Sequence, residues 1–153
     1  MPSYSTQRRV PFTPKEMFDV VADVERYPEF LPLCESLTVA SRTLGGGRET
    51  ILATMGVGYK AIREAFTSRV TLMPAELTIL VENVAGPFRQ LANRWHFSAA
   101  PGGTDVHFSI DYEFSSALLR LLMGALFDKA VRRYAEAFEI RAHSIYGARS
   151  DAS

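Results

Sequence analysis

Cys34 is the only thiol in the chain, and His96, His107 and His143 are the only imidazoles that could activate it. A thiolate nucleophile needs such a base within hydrogen-bond reach. The pattern works against that pairing, because His96 and His107 fall on the outer positions of alternating strands and His143 lies near the far end of a helix. Zinc chemistry is no better served: the histidines lack HxxH-like spacing and there is no second cysteine. Asp111 and Glu113 share the wet face of one strand and read as solvated carboxylates rather than as an acid/base pair. Gly45-Gly46-Gly47 could cradle a phosphate only ahead of a helix, and a strand follows instead. The residue types that do chemistry are present, but not in arrangements that perform it.

What remains is an apolar chain of ordinary size. Its 153 residues suffice for one domain with a substantial core, and a second domain is not expected. Seventeen Lys and Arg balance seventeen Asp and Glu, so nothing points to DNA or RNA as an electrostatic partner. A single cysteine excludes an internal disulfide and suits a reducing compartment. Met1 leads directly into Ser3-Tyr4-Ser5-Thr6 and Arg8-Arg9 without a signal-peptide hydrophobic segment, so a soluble protein is expected.

The elements that must position any site can be read in order. Ser3 to Val10 has strand-forming residues. Thr13-Pro14-Lys15-Glu16 opens a helix, with Thr13 as cap, Pro14 in the first turn and Glu16 closing a capping box. Met17, Phe18, Val20, Val21 and Val24 supply its apolar face, and it should end near Val24 to Tyr27. Tyr27-Pro28-Glu29-Phe30-Leu31-Pro32-Leu33-Cys34 then allows at most a short helical turn and a stiff loop, because its two prolines forbid a long helix or a central strand. Apolar residues on such a loop either plug the end of a core or line the mouth of a pocket, and plugging is the simpler reading.

From Glu35 the period changes to two. Leu37, Val39 and Ser41 alternate up to the glycine triplet, and Ile51, Ala53 and Met55 follow it, with Gly56 and Gly58 suggesting a turn or bulge near Val57. Lys60 to Leu72 sets Ile62, Phe66, Val70 and Leu72 on one face, and Glu64 either points inward with them or is turned out by a bulge. Leu77, Ile79 and Val81 form the next set. Leu91, Asn93, Trp95 and Phe97 share a face within Phe88 to Ser98, and Val106, Phe108, Ile110, Tyr112 and Phe114 give the clearest alternation.

Ser115 to Gly147 reads as one long helix, with Ser115 and Ser116 as caps and no proline inside. From Ala117 to Phe127 it is apolar almost all round, which demands cover on several sides or a ligand beside it. From Asp128 onward Val131, Tyr134, Ala135, Phe138, Ala142 and Ile145 make an ordinary amphipathic stripe, backed by the i,i+4 pairs Asp128 to Arg132 and Glu139 to His143. Its apolar half is too short for a membrane span, which takes roughly twenty residues. The expected fold is therefore α+β. A curved antiparallel sheet of about seven strands wraps a long C-terminal helix, two short helices lie between the first two strands, one domain spans 1–147, and 148–153 form a frayed tail.

This order resembles the START-like helix-grip fold and, within it, the coenzyme Q-binding protein family, whose bacterial members overlap with the ribosome-association toxins. Three stretches carry the resemblance. Tyr27-Pro28-Glu29-Phe30-Leu31-Pro32-Leu33-Cys34 looks like the family's Tyr-Pro-x-Phe-Leu-Pro-Trp-Cys, with Leu33 in place of the usual Trp. Gly86-Pro87-Phe88 leads through Leu91 to Trp95 and Phe97, and the last helix closes on Ile145-Tyr146-Gly147.

The resemblance implies a hydrophobic tunnel between sheet and helix that binds ubiquinone or a similar polyprenylated lipid, with a carrier or chaperone role in respiration, no catalysis, no cofactor and no metal. Under it the proline loop becomes a tunnel rim, formed by Tyr27, Phe30, Leu31 and Pro32. The sheet contributes Met55, Phe66, Ile79, Phe88, Leu91, Trp95, Phe108, Ile110 and Tyr112. The helix contributes Leu119, Leu122, Met123, Leu126 and Phe127. Tyr112, Asn93 and Tyr27, and more weakly Glu64, are the groups available to a polar head. The expected location is cytoplasmic, with peripheral contact at the inner face of the membrane through Phe30 and Leu31. The alternative implied by the same resemblance is a toxin-like protein that binds the large ribosomal subunit and blocks subunit joining, using a patch of Arg132, Arg133 and Arg141.

Overall fold

In the computed structural model, which describes residues 3–147, seven strands form one fully antiparallel sheet in the order β1-β7-β6-β5-β4-β3-β2. The strands are β1 (Ser3–Val10), β2 (Cys34–Gly45), β3 (Arg48–Tyr59), β4 (Ile62–Met73), β5 (Thr78–Ala85), β6 (Phe88–Ala100) and β7 (Gly103–Phe114). Two helical pieces separate β1 from β2: α1 (Pro14–Ala22) and a 3₁₀ segment, Val24–Glu29. The proposed tail at 148–153 lies outside the described residues.

Local signals explain most of this. The Thr13 side chain accepts from the Glu16 N–H while the Glu16 carboxylate accepts from the Thr13 N–H, so the capping box forms and α1 buries Met17, Phe18, Val20 and Val21. Along β7 every second residue from Thr104 to Phe114 is buried, and its partners on β6, Trp95 and Phe97, face the same side. Gly46 and Gly47 take positive φ, 60° and 76°, and close the β2–β3 hairpin. Gly56 and Gly58, in contrast, do not turn the chain, and β3 runs on to Tyr59. They make room for the start of β2: a Cβ on Gly56 would stand 2.4 Å from the Ser36 hydroxyl, and one on Gly58 2.4 Å from the Glu35 carboxylate.

The single closing helix is corrected to two. α2 (Ala117–Val131) and α3 (Tyr134–Tyr146) meet at Arg132 and Arg133. No proline or glycine forces the break. The backbone ladder tightens there, with the Arg133 N–H donating to the carbonyl of Ala130 rather than to that of Lys129. It does so where the surface beneath changes from β7, which carries α2, to α1, which carries α3. The break also rotates the expected stripe. Ile145 faces solvent, and Tyr146 takes its place against Phe12, ring centroids 5.8 Å apart. The i,i+4 pairs survive, Arg132 to Asp128 at 3.1 Å and His143 to Glu139 at 3.7 Å.

Candidate functional site

Where the concave face of the sheet meets the 3₁₀ segment, the proline loop and both C-terminal helices, an apolar cavity of about 70 Å³ remains. The sheet supplies Met55, Phe66, Val81, Leu91, Asn93, Trp95 and Ile110; Tyr27 and Leu31 come from the 3₁₀ segment and loop; Phe127 closes it from α2, and Tyr134 and Phe138 from α3. Each arrives by the inward half of a strand alternation or of a helical stripe. The rings behind the lining hold it in shape. Trp95 lies 5.0 Å from Phe138 and 4.6 Å from Phe108, and Phe127 lies 5.0 Å from Phe88 and 4.8 Å from Tyr112. Edge-on contacts of this kind add to the burial of the rings themselves.

The proline loop is shaped to deliver Tyr27 and Leu31. The Tyr27 hydroxyl donates to the carbonyl of Val21 at the end of α1, and the N–H groups of Phe30 and Leu31 both donate to the Tyr27 carbonyl. Leu33 then takes a left-handed conformation, φ 68°, and its carbonyl accepts from the Gly58 N–H at 3.1 Å, tying the loop to β3. This is the position at which the coenzyme Q-binding pattern carries Trp. The Leu33 side chain lies outside the cavity, in a shallow groove with Pro32, Tyr59, Leu126, Lys129, Ala130 and Arg133. The departure therefore alters the outer surface beside the cavity, not its interior.

The polar groups of the cavity are few. Asn93 is fully engaged, its amide donating to the Ser109 carbonyl at 2.8 Å and its carbonyl accepting from the Trp95 indole N–H at 3.0 Å. The Tyr134 hydroxyl is different. Burial pushes its pKa well above the ordinary phenol range, with the nearby Cys34 thiol adding to the shift, and no hydrogen bond to it forms among the described residues. Burial likewise raises Tyr27 far above its usual range and pushes the Cys34 thiol up to about 11. A thiol so held is not a nucleophile near neutrality.

The remaining sequence candidates fall as follows. Phe30 is wedged against Tyr27 and Phe138 beneath the Arg141 guanidinium, and Ile79 is buried opposite Trp95 in the β5–β6 register. Phe88, Phe108 and Tyr112 form the ring layer behind the lining. Met123 is buried and Leu119 half-buried, while Leu122 points outward. Leu31 is buried as well, so of the rim expected at Phe30 and Leu31 only the half-buried Phe30 reaches the surface. Glu64 is half-buried on β4 and does not line the cavity. Val81, Tyr134 and Phe138 also line the cavity, although the sequence marks them only as members of a strand alternation and of the amphipathic stripe. His96 and His107 sit on the outer face, rings 5.8 Å apart, bonded to Thr78 and Ser98, away from the buried Cys34. Among the described residues no three His, Cys, Asp or Glu side chains gather as a metal site would require.

A curved sheet gripping helices around a small apolar cavity can be set beside known proteins. The sequence profile described as polyketide cyclase / dehydrase and lipid transport matches residues 10–139. The chain belongs to that family. Within it, the ribosome association toxin RatA of Escherichia coli K12 is 32% identical over 150 residues, covering 97% of this chain and 92% of the relative. The mitochondrial coenzyme Q-binding protein COQ10 homolog B of Xenopus laevis is 31% identical over 148 residues, 94% of this chain and 59% of that longer protein. Among solved structures, an 18 kDa protein of Caulobacter crescentus is 33% identical with a TM-score of 0.78, covering 97% of this chain and all of that one. A START superfamily protein of Mycobacterium smegmatis, 20% identical, superposes with a TM-score of 0.77 over 94% of this chain and 98% of its own, and shows the shared helix-grip fold. The family's domain is of the lipid-transport type, and no helix among the described residues is long and apolar enough to cross a membrane.

Proposed function

We propose that the protein is a non-catalytic carrier that takes the apolar tail of a prenylated quinone, or of a similar polyprenyl lipid, into the space between the sheet and α2. The observation that carries this reading is the cavity itself: a gap walled by Met55, Phe66, Leu91, Ile110 and Phe127, with one unengaged hydroxyl, that of Tyr134, beside it. An isoprenoid offers only apolar surface, and each buried CH₂-sized group gains about 0.8 kcal/mol, so two or three prenyl units supply micromolar affinity after the cost of association. The hydroxyl suits a quinone carbonyl, which accepts and does not donate.

At about 70 Å³ the cavity is well below the roughly 300–1,000 Å³ of small-molecule sites, so under this reading loading requires a wall to move. α2 is that wall. Its first half is covered least, and it meets the rest of the molecule mainly through β7. The reading invokes no cofactor. The purified protein incubated with liposomes that contain ubiquinone, re-isolated and extracted for mass spectrometry, should carry a prenyl lipid in proportion to protein. Recovery of none at any protein load overturns the proposal.

A second reading draws on the RatA relatives, which match nearly end to end. Under it this chain binds the large ribosomal subunit. Its proposed arginine patch is largely neutralised, with Arg132 on Asp128 and Arg141 on Glu29 at 2.9 Å, leaving Arg133. Co-sedimentation with ribosomal subunits across a salt series separates the two readings.

A further inference from the structure

The first half of α2 presents its leucines to the outside. Leu118, Leu121 and Leu122 are 64%, 81% and 53% exposed, and with Ala125 they occupy positions i, i+3, i+4 and i+7 of one stripe. The opposite stripe holds Met123 and Phe127, both buried, and Phe127 lines the cavity. A helix apolar on both faces is one that trades partners: one face for the protein and one for something else.

The charges nearby say what that something is. Although the chain as a whole is neutral, Arg120, Lys129 and Arg133 on this arm have no ion-pair partner among the described residues, while the arm's one acid near them, Asp128, is committed to Arg132. Lys129 continues the leucine stripe one turn further on. With Arg133 it borders the groove that also holds Pro32, Leu33 and the half-exposed Tyr59, over whose ring Lys60 sits at 5.3 Å. Leucines in the middle, an aromatic at one edge and cations around them is the composition of a helix that lies in a bilayer interface. A second copy of this chain fits poorly, because a twofold contact across the stripe would bring the same unpaired cations onto one another.

We propose that α2 docks the protein flat on an anionic lipid surface through Leu118, Leu121, Leu122 and Ala125, with Lys129 and Arg133 meeting headgroup phosphates. The inference deepens the carrier reading, from which it takes its purpose: the wall that must move to load a membrane lipid is the wall that touches the membrane. The docking itself needs no ligand.

Flotation of the full chain with phosphatidylcholine vesicles, with and without one-third phosphatidylglycerol, tests it. The anionic vesicles should bind at least about tenfold more protein, and 0.5 M salt should reduce the difference. The variant Leu118→Glu/Leu121→Glu should lose flotation, and Lys129→Glu alone should lose the preference for phosphatidylglycerol. Both alter exposed side chains, so their urea midpoints and uptake of ubiquinone from detergent micelles should match the parent. Absence of flotation by the parent chain, equal flotation by the leucine variant, or a concentration-dependent dimer abolished by the same substitutions overturns the docking. Flotation that behaves as stated while no ubiquinone is taken up from micelles leaves the docking standing and removes the carrier.

Discussion

α2 and α3 follow one another with neither proline nor glycine at their junction, yet they place their large apolar side chains differently. On α3 the large ring is driven inward: Phe138 stands 5.0 Å from Trp95 and 5.2 Å from both Tyr27 and Phe30, and Ala142 is fully buried against the α1 side of the molecule. Glu139 adds an ion pair to Arg8 on β1. On α2 three leucines, Leu118, Leu121 and Leu122, stay out, and only Met123, Phe127, Ala130 and Val131 are buried. α3 leaves Ile140 and Ile145 outside as well, but the run Leu118–Leu122 carries four leucines and buries none of them, so hydrophobicity and attachment are separate properties.

The sharpest way to test that contrast is to truncate one side chain on each helix. Phe138→Ala removes a ring packed on three others and should cost about 3–5 kcal/mol in urea unfolding, whereas Leu121→Ala should change stability by no more than about 0.5 kcal/mol. Similar losses from both would mean that α2 is as firmly built in as α3. A second test uses Cys34, buried beside Tyr27 and Tyr134. With its pKa raised from 9.0 to about 11, the folded protein at pH 8 should react with iodoacetamide about a hundredfold more slowly than the urea-unfolded chain. The sign for stability follows. The folded pKa lies above the unfolded one, so the contribution of the protonated thiol is complete below pH 9 and fades as pH rises toward 11. Near-equal alkylation rates at pH 8 would show that the space around Cys34 is open. Third, backbone amides of α2 between Met123 and Val131 should exchange at least about tenfold faster than those around Phe138 on α3. Uniform protection across the two helices would deny α2 its role as the movable wall.

The sheet is legible because a period of two states both the strand and the face at once: the sequence alone places Val106, Phe108, Ile110, Tyr112 and Phe114, and likewise the capping box at Thr13. The long helix was legible only in part. Arg132 and Arg133 are good helix formers, and the break between α2 and α3 comes from the change of support beneath them, which lies far away in sequence. The leucines of α2 misled for a related reason. An apolar run reports what gains from burial but not whether the fold supplies cover, and here Leu118, Leu121 and Leu122 stay exposed. On the strands of the site, periodicity set faces correctly but not depth. Tyr27, Leu31, Met55, Phe66, Leu91, Trp95, Ile110 and Phe127 reach the cavity, Phe88 and Phe108 stop one layer behind it, and Tyr134 and Phe138 reach it from a stripe that looked like ordinary core.

Tyr134 gives the smallest and most discriminating test of the comparison, because it stands at the hinge where α3 begins. Its hydroxyl sits in surroundings that raise its pKa and makes no hydrogen bond among the described residues, so removing it breaks no bond. Tyr134→Phe should therefore leave stability unchanged or raise it by up to about 1 kcal/mol. An ordinary structural tyrosine would lose stability on the same change. If the hydroxyl is there for a ligand carbonyl, the variant should bind ubiquinone about fivefold more weakly, the worth of one neutral hydrogen bond, while binding of a saturated isoprenoid hydrocarbon is unaffected. Loss of stability without loss of quinone affinity would return Tyr134 to the core and leave the cavity with no polar group to orient what enters it.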